Sequence, residues 1–408
     1  MKLDLNELKP KNLKNRRGVT KEERRKNRQK LGIYNKVDYI TLIMFAALLL
    51  ISLFVLNSAS TNVIDSDPNF YVRRQALLMF VGVFIFTAVM LFDYRRYREY
   101  SRIGYIGIII LLIIVFLFGS GDGANRWIFG FQPSELAKLV MIIVFAAWLT
   151  NNREKLKDAK FTLKSMAFMM VPMILIFIEP DLGTSLVFIV IMLVMLFVAG
   201  ANRKVLFSVC GFLLAFAAFI YISLYFYTDG FTKLLKEDIP FLPLHYYQLM
   251  RLAIFINPQM DPFDSGYHII QSKIAIGSGG LFGKGYGDGT QVQGNFLPAH
   301  HTDFIFSVLG EEMGFFFTAF VLILYMVFLI RLMRVAFISR DFFGTLIVSG
   351  ICSMLIFQVM VNAGMAMGIM PITGLPLPFF SYGVTSLWVN MMAIGVIFSI
   401  MLRGRKAP

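Results

Sequence analysis

The sequence predicts an all-α polytopic membrane protein with ten transmembrane helices, both termini in the cytoplasm and one long extracellular loop between helices 7 and 8. Three observations carry that prediction. Of 408 residues, 57% are hydrophobic and only 16% charged, and the mean hydropathy is +0.68. Soluble domains sit nearer half apolar and a quarter charged. Ten runs are apolar over a length that approaches a bilayer span of about 20 residues. The basic residues between those runs fall on alternate sides.

Residues 1–37 hold 13 of the 39 Lys and Arg. This segment is too long and polar for a signal peptide, and the first apolar run lacks a small-residue cleavage site. A net charge of +14 invites a nucleic-acid reading. A basic tail beside an anionic leaflet explains the charge instead, so no nucleic-acid partner is expected. Cys210 and Cys352 both lie in apolar runs without metal spacing and read as small hydrophobes.

The apolar runs fall at about 39–57, 76–92, 103–118, 134–150, 165–179, 183–200, 205–227, 303–330, 342–368 and 382–402. With the amino terminus inside, the inner segments hold 30 of the 39 basic residues, among them Arg95, Arg96, Arg98, Arg102, Arg153, Arg203 and Arg403. Ten spans fit this partition, and nine or eleven would spoil it. The expected organisation is a basic cytoplasmic tail at 1–37, a ten-helix membrane domain at 38–402 and a short cytoplasmic tail at 403–408. The extracellular loop at 228–302 contains all four histidines and "YYQLMRLAIFI" (246–256), an apolar stretch too short to span that should lie along the interface.

Several motifs gather at the outer ends of these spans. "ANRWIFGFQPSELAKLV" (124–140) starts a span with a proline and places Glu135 and Lys138 three residues apart on one face. The two could satisfy each other, but ionisable groups within a span usually face a cavity or ligand. Arg126 could grip a phosphate, with Trp127 anchoring at the interface. "EPDLGTS" (179–185) offers Asp181 either as a helix N-cap or as a site acid. "GSGGLFGKGYGDG" (277–289) fails the P-loop pattern because Lys284 precedes Gly285, so its glycines read as tight turns or close backbone approach. In "GIMPITGLPLPFFSYGVTSLWVN" (368–390), prolines and glycines break any helix and mark a cavity wall, with Ser381 and Tyr382 among its hydrogen-bonding groups.

"NFLPAHHTDFIFSVLGEEMG" (295–314) places His300, His301, Thr302 and Asp303 at the mouth of the eighth span. An acid in the first helical turn, with Thr302 as N-cap, would gain only about 0.3–1 kcal/mol from the helix dipole. Glu311 and Glu312 lie deeper and would need partners such as Lys138, Arg126 or water, in a structural or cavity-lining role. The residues alone leave a transporter, a polymerase and a scaffold open.

"GANRWIFGFQPSELAKL", "EPDLGTSLVFIVIMLVMLFVAG", "GYHIIQSKIAIGSGGLFGKGYGDGTQVQGNFLPAHHTDFIFSVLGEEMGF" and "MPITGLPLPFFSYG" together resemble the SEDS family of bacterial cell-wall proteins, from about residue 37 to 402. "GYHIIQSKIAIGSGGLFGKG", "NFLP" and Thr373 resemble its RodA-like elongation branch more than its FtsW-like division branch. Ala299, His300, Glu179 and "SYGVTS" depart from the family's usual residues. The resemblance implies a multi-pass protein of the cytoplasmic membrane that polymerises lipid II into peptidoglycan glycan strands on the extracytoplasmic face, with a class B penicillin-binding protein as partner. It also implies Asp303 as the essential catalytic residue, with Glu135, Lys138 and Asp181 as further motif residues. The expected role of Asp303 is general base. Arg126, Arg73, Lys138 and Lys273 are the cations expected to meet the diphosphate, and Asp181, Glu135, His301, Ser381 and Tyr382 are expected around the substrate. Mg²⁺ or Mn²⁺ would help the leaving diphosphate, although the sequence shows no dedicated cage for a metal. A lipid II transporter and a non-catalytic scaffold for the transpeptidase are the competing readings.

Overall fold

In the computed structural model, residues 38–60, 69–120, 126–128, 130–226, 246–261 and 265–404 are described. The expected tail at 1–37, residues 228–245 and 262–264 of the expected loop, and residues 405–408 lie outside them. By contact the chain divides into residues 1–39 and residues 40–408, and the site lies in the second unit.

Ten helices are long and apolar enough to cross a bilayer. These are α1 (Tyr39–Ala59), α2 (Phe70–Leu91), α3 (Ser101–Phe118), α4 (Pro133–Asn151), α5 (Ala159–Ile178), α6 (Leu182–Ala199) and α7 (Arg203–Phe226), followed by α10 (Ile305–Ile338), α11 (Phe342–Ala366) and α12 (Val384–Gly404). Before α10 stand two shorter helices, α8 (Tyr246–Ile256) and α9 (Ser265–Ser278), and a single helical turn at Thr290–Gln293. Among the described residues there are no strands, only two isolated bridges before α4.

Local chemistry sets the helix boundaries. Pro133 occupies the first turn of α4, where its missing N–H costs nothing. Asp158, Asp181 and Asp341 cap α5, α6 and α11 through their carboxylates. The last helix runs to Gly404, two residues beyond the boundary the sequence places.

The spans are not equivalent. In α12, 83% of the apolar stretch is buried, and in α4 and α11 72%, whereas in α7 only 6% is buried. The core is therefore α4, α11 and α12 with α6, and α7 leaves nearly its whole surface to lipid. Buried polar residues follow the same division, with Glu135 and Lys138 in α4, Gln358 and Asn362 in α11, and Asn390 in α12.

One end of the bundle carries Arg98, Arg153 and Arg403. Arg98 donates to Asn151 Oδ1 at 3.0 Å, Arg403 to the Met90 carbonyl at 2.9 Å, and Tyr94 to Asp341. Arg153 lies 4.2 Å from the Phe342 ring centre. All of these groups cluster at the end of α4 that Asn151 occupies, and the four polar motifs meet at the other.

The segment between α7 and α10 differs from expectation. Residues 246–256, which the sequence places along the interface, form the helix α8, whereas α9 was not expected, and the chain after α8 packs against α10. α9 runs parallel to α10 and alongside it. His268 stacks on Phe304 at 5.8 Å, Ser272 shares a 2.6 Å hydrogen bond with Ser307, and Gly310 packs on Ile276. The glycine run then turns back at the level of Gly314, nine residues or about 14 Å along α10. This is a re-entrant hairpin, and its irregular backbone at that depth is tolerated because α10 satisfies it. Lys284 and Gly285 donate their N–H groups to the carbonyls of Glu311 and Glu312, and Phe315 and Phe316 donate to Gly280 and Leu281. Leu281 and Phe282 at the tip are exposed to the lipid side.

Glu311 and Glu312 hold the hairpin in place, as structural residues, but with partners other than those expected. Glu311 pairs with Lys284 at 2.6 Å and also accepts from Thr290 Oγ1 and the Gln291 and Val292 N–H groups. Glu312 accepts from Ser58 Oγ at 2.6 Å. Neither contact uses Lys138 or Arg126, because the hairpin supplies the donors to Glu311 and α1 supplies Ser58 to Glu312.

Gly314 makes the turn possible. Its φ of 72° and ψ of −173° interrupt α10 in a region essentially limited to glycine, and a Cβ there would lie 2.2 Å from Gly283 N. Gly314→Ala should lose about 1–3 kcal/mol from the backbone alone, and it should also displace the hairpin. Gly277→Ala, where a Cβ meets nothing within 4 Å, should leave the melting temperature unchanged. Thermal unfolding of both purified variants checks the pair.

Candidate functional site

Asp303 sits where four elements converge. It does not lie in the first turn of α10, as expected. The helix starts at Ile305 with Phe304 at its cap and no side-chain capping bond, so Thr302 is not the N-cap. Thr302 instead donates its hydroxyl to the Ala299 carbonyl at 3.2 Å. Asp303 is held through its backbone, which frees its side chain. Asn362 of α11 donates to the Asp303 carbonyl at 2.9 Å and to the Leu375 carbonyl at 2.8 Å, joining the turn to the proline-rich loop. Ser381 Oγ donates to the Thr302 carbonyl at 2.7 Å and accepts from Leu377 N at 2.8 Å.

An apolar cluster presses α8 onto this turn. Ile254, Ile269, Leu297, Phe304, Met365 and Ile372 pack together, with Met250 against them. Arg251 on the same helix is thereby brought to Asp303. A Cβ built on Gly374 would lie 3.4 Å from Arg251 Nη1 and 3.7 Å from Asp303 Oδ2, so glycine keeps the space between them open.

Asp303 is half-buried. Desolvation raises its carboxyl above the usual aspartate range, and the Arg251 and His268 charges draw it partly back, while Asp181 is near enough to push it up further. A raised pKa means that the ionised carboxylate holds a proton more strongly.

Asp181 caps α6, accepting from Thr184 N at 3.1 Å and Thr184 Oγ1 at 2.8 Å, and also accepts from Ser134 Oγ and Gln132 Nε2, each at 3.3 Å. The α6 end is locked to the proline-rich loop by Gly183, whose Cβ would lie 2.6 Å from the Thr373 carbonyl. Arg126 donates to the carbonyls of Glu179 and Pro180, clamping the same turn. Burial pushes the Glu179 carboxyl up to about 8, the Asp181 charge adding to the shift and Arg126 opposing it. Glu135 and Lys138 pair with each other at 2.7 Å and are almost fully buried.

The remaining expected residues are more open. His301 and Tyr382 are half-buried, joined by the Tyr382 N–H to the His301 carbonyl at 3.0 Å. Burial holds the His301 ring neutral, with its pKa pushed down to about 4. His300 is turned inward onto the Leu297 carbonyl. Arg73 is exposed on the first turn of α2 and Lys273 is exposed on α9, with its stem against Gly368.

The structure thus brings Asp303, Asp181, Ser381, Tyr382 and His301 to one end of the bundle and adds Arg251, His268 and Asn362. Sequence reasoning did not single out Arg251 or Asn362. A lone amide in an otherwise apolar span was the available signal for Asn362, and nothing in the sequence pairs residue 251 with 303. Among the described residues no group of three or more His, Cys, Asp or Glu is arranged to hold a metal ion. With the Asp181 oxygens already accepting four hydrogen bonds, the donor set does not fit a resident divalent cation.

Comparison with known proteins finds relatives along nearly the whole chain. RodA of Treponema pallidum, named a peptidoglycan glycosyltransferase, is 35% identical over 90% of this chain and 98% of its own length. MrdB of Escherichia coli K12, also named a peptidoglycan glycosyltransferase, is 37% identical over 92% and 96%. Stage V sporulation protein E of Bacillus subtilis is 35% identical over 89% and 96%. Among solved structures, a chain from work on coordination of polymerisation and crosslinking by a peptidoglycan synthase complex superposes with a TM-score of 0.70 at 27% identity, covering 89% of this chain and 97% of that one. The rod shape determining protein RodA of Thermus thermophilus superposes with a TM-score of 0.62 at 27% identity, over 89% and 96%. The profile described as FtsW/RodA/SpoVE cell cycle protein matches residues 38–406, and the chain belongs to that family.

Proposed function

We propose that this chain polymerises lipid II into glycan strands during cell elongation, with Asp303 as the general base. The protein is a peptidoglycan glycosyltransferase of the multi-pass membrane class, in keeping with the names of its relatives. The observation that carries the assignment of Asp303 is its placement. It is a half-buried carboxylate whose backbone is fixed by Asn362 and whose side chain lies within electrostatic reach of Arg251.

In the proposed reaction the acceptor GlcNAc 4-hydroxyl gives its proton to Asp303 as its oxygen attacks C1 of the donor MurNAc. The C1–O bond to the diphosphate breaks, undecaprenyl diphosphate leaves, and the anomeric centre inverts. General-base assistance of this kind contributes about 10²- to 10⁴-fold. Arg251 and Lys273, with Arg73 at the rim, supply positive charge for the departing diphosphate. Asp181, Arg126, Glu135, Lys138 and Ser381 position the loops that frame the site. Mg²⁺ or Mn²⁺ would arrive as the counter-ion of the substrate's diphosphate.

The arginine-bearing end of the bundle supports a cytoplasmic assignment for that end and both termini, and hence an extracytoplasmic site. A class B penicillin-binding protein is the proposed crosslinking partner, in line with the synthase complex that superposes on this chain.

Purified protein in liposomes with lipid II, alone and with that partner, tests the reading. Glycan chains should form with the wild type and be lost in Asp303→Ala. Absence of polymer under both conditions overturns the enzyme. Lipid II scrambling that survives Asp303→Ala would favour a transporter instead.

A further inference from the structure

Beside Asp303 lies an aromatic surface that the reaction as described leaves unused. Tyr71 on the first turn of α2 stands 4.7 Å from the His301 ring and 4.9 Å from the Tyr382 ring, the second pair edge to face. His301 and Tyr382 are themselves 6.4 Å apart. The three rings come from three elements: α2, the lead-in to α10 and the lead-in to α12. The 3.0 Å bond from Tyr382 N to His301 O and the 2.7 Å bond from Ser381 to Thr302 O lock the last two together. The platform is therefore built rather than incidental.

Its chemistry is that of a saccharide site. All three rings are half-buried, so each keeps an accessible face. Among the described residues neither phenolic hydroxyl of Tyr71 or Tyr382 has a protein hydrogen-bond partner, and Nδ1 of His301 is buried without one. Arg74 completes the rim, with its guanidinium carbon 5.9 Å from the Phe70 ring centre. Pyranose rings present C–H faces that pack on aromatic rings and a hydroxyl edge that needs donors and acceptors. Neutral rings with unused phenols meet both needs.

We infer that Tyr71, His301 and Tyr382 form the subsite that carries the acceptor N-acetylhexosamine next to Asp303. The inference rests on the glycosyltransferase reading for the word acceptor. His301 lies two residues before Asp303 in the turn that leads into α10, so the platform and the carboxylate are carried by one short segment. Arg251 reaches Asp303 from α8, a different element, and offers the charge a diphosphate needs. The acceptor hydroxyl would then meet Asp303 from the platform, while the diphosphate leaves from the opposite face of the donor C1, as an inverting displacement requires.

The test uses the full chain in detergent and a tetrasaccharide of alternating N-acetylglucosamine and N-acetylmuramic acid, with binding read by calorimetry. The tetrasaccharide should bind the wild type. Tyr71→Ala should weaken it at least about tenfold, equivalent to 1.4 kcal/mol, while Tyr71→Phe keeps the stacking face and loses less. Should Tyr71→Ala fail to fold, Tyr382→Leu carries the same expectation. Wild-type affinity in a folded Tyr71→Ala or Tyr382→Leu variant overturns the subsite. Tetrasaccharide binding that depends on Tyr71 in a protein that makes no polymer would keep the subsite and remove the polymerase reading.

Discussion

Replacing Asp303 by asparagine lowers the polymerisation rate by about 10²- to 10⁴-fold and leaves KM close to that of the wild type. The amide has nearly the same shape and keeps the backbone contacts with Asn362, so substrate still binds, but it cannot accept a proton. The wild-type pH profile carries the second half of the prediction. Burial raises the Asp303 carboxyl above its ordinary value of 3.8, with Arg251 and His268 opposing the shift. A general base works only when ionised. The rate should therefore fall as pH drops through the raised pKa, with the midpoint of the acid limb above 3.8. Arg251→Leu removes an opposing positive charge, so the limb should move to still higher pH, whereas Arg251→Lys should restore it towards wild type. Initial-rate measurements on purified protein across the acid range check all three. A limb that stays in place in Arg251→Leu would separate Arg251 from the base.

The spans were legible because membrane insertion imposes a length and a composition on each one. All ten apolar runs correspond to helices. The re-entrant hairpin was not legible. α9 mixes Lys273, Gln271 and His268 with apolar residues, and the glycine run has no periodicity. Its depth is set by long-range bonds to Glu311, Glu312 and the break at Gly314. The same logic separates the site residues. Asp181 declared itself through a local capping pattern, and the structure shows that cap. Arg251 lies 52 positions before Asp303, and only the packing of Ile254 and Phe304 in one apolar cluster brings them together. Local chemistry reads from sequence, whereas a contact made by tertiary packing does not.

Glu135 and Lys138 give the largest expected loss of stability. Their ion pair is 2.7 Å long, Lys138 has no exposed surface and Glu135 has 2%. Glu135 Oε2 already lacks a hydrogen-bond partner, so Lys138 is the group that makes the buried carboxylate tolerable. Lys138→Met keeps the stem volume but leaves Glu135 buried and unpaired, at a cost of about 3–5 kcal/mol. A buried pair contributes little in itself, because the desolvation of both charges offsets their attraction. The double variant Glu135→Gln/Lys138→Met should therefore recover most of that loss, although each single variant is worse than wild type. Melting temperatures of the three purified variants in one detergent check the order. Because α4 is a core helix that also presents Ser134 to Asp181, Lys138→Met should lower polymerisation as well. Recovery of stability in the double variant without recovery of activity would show that the pair also acts electrostatically on the reaction. Recovery of both would show that it serves only to hold α4 in place.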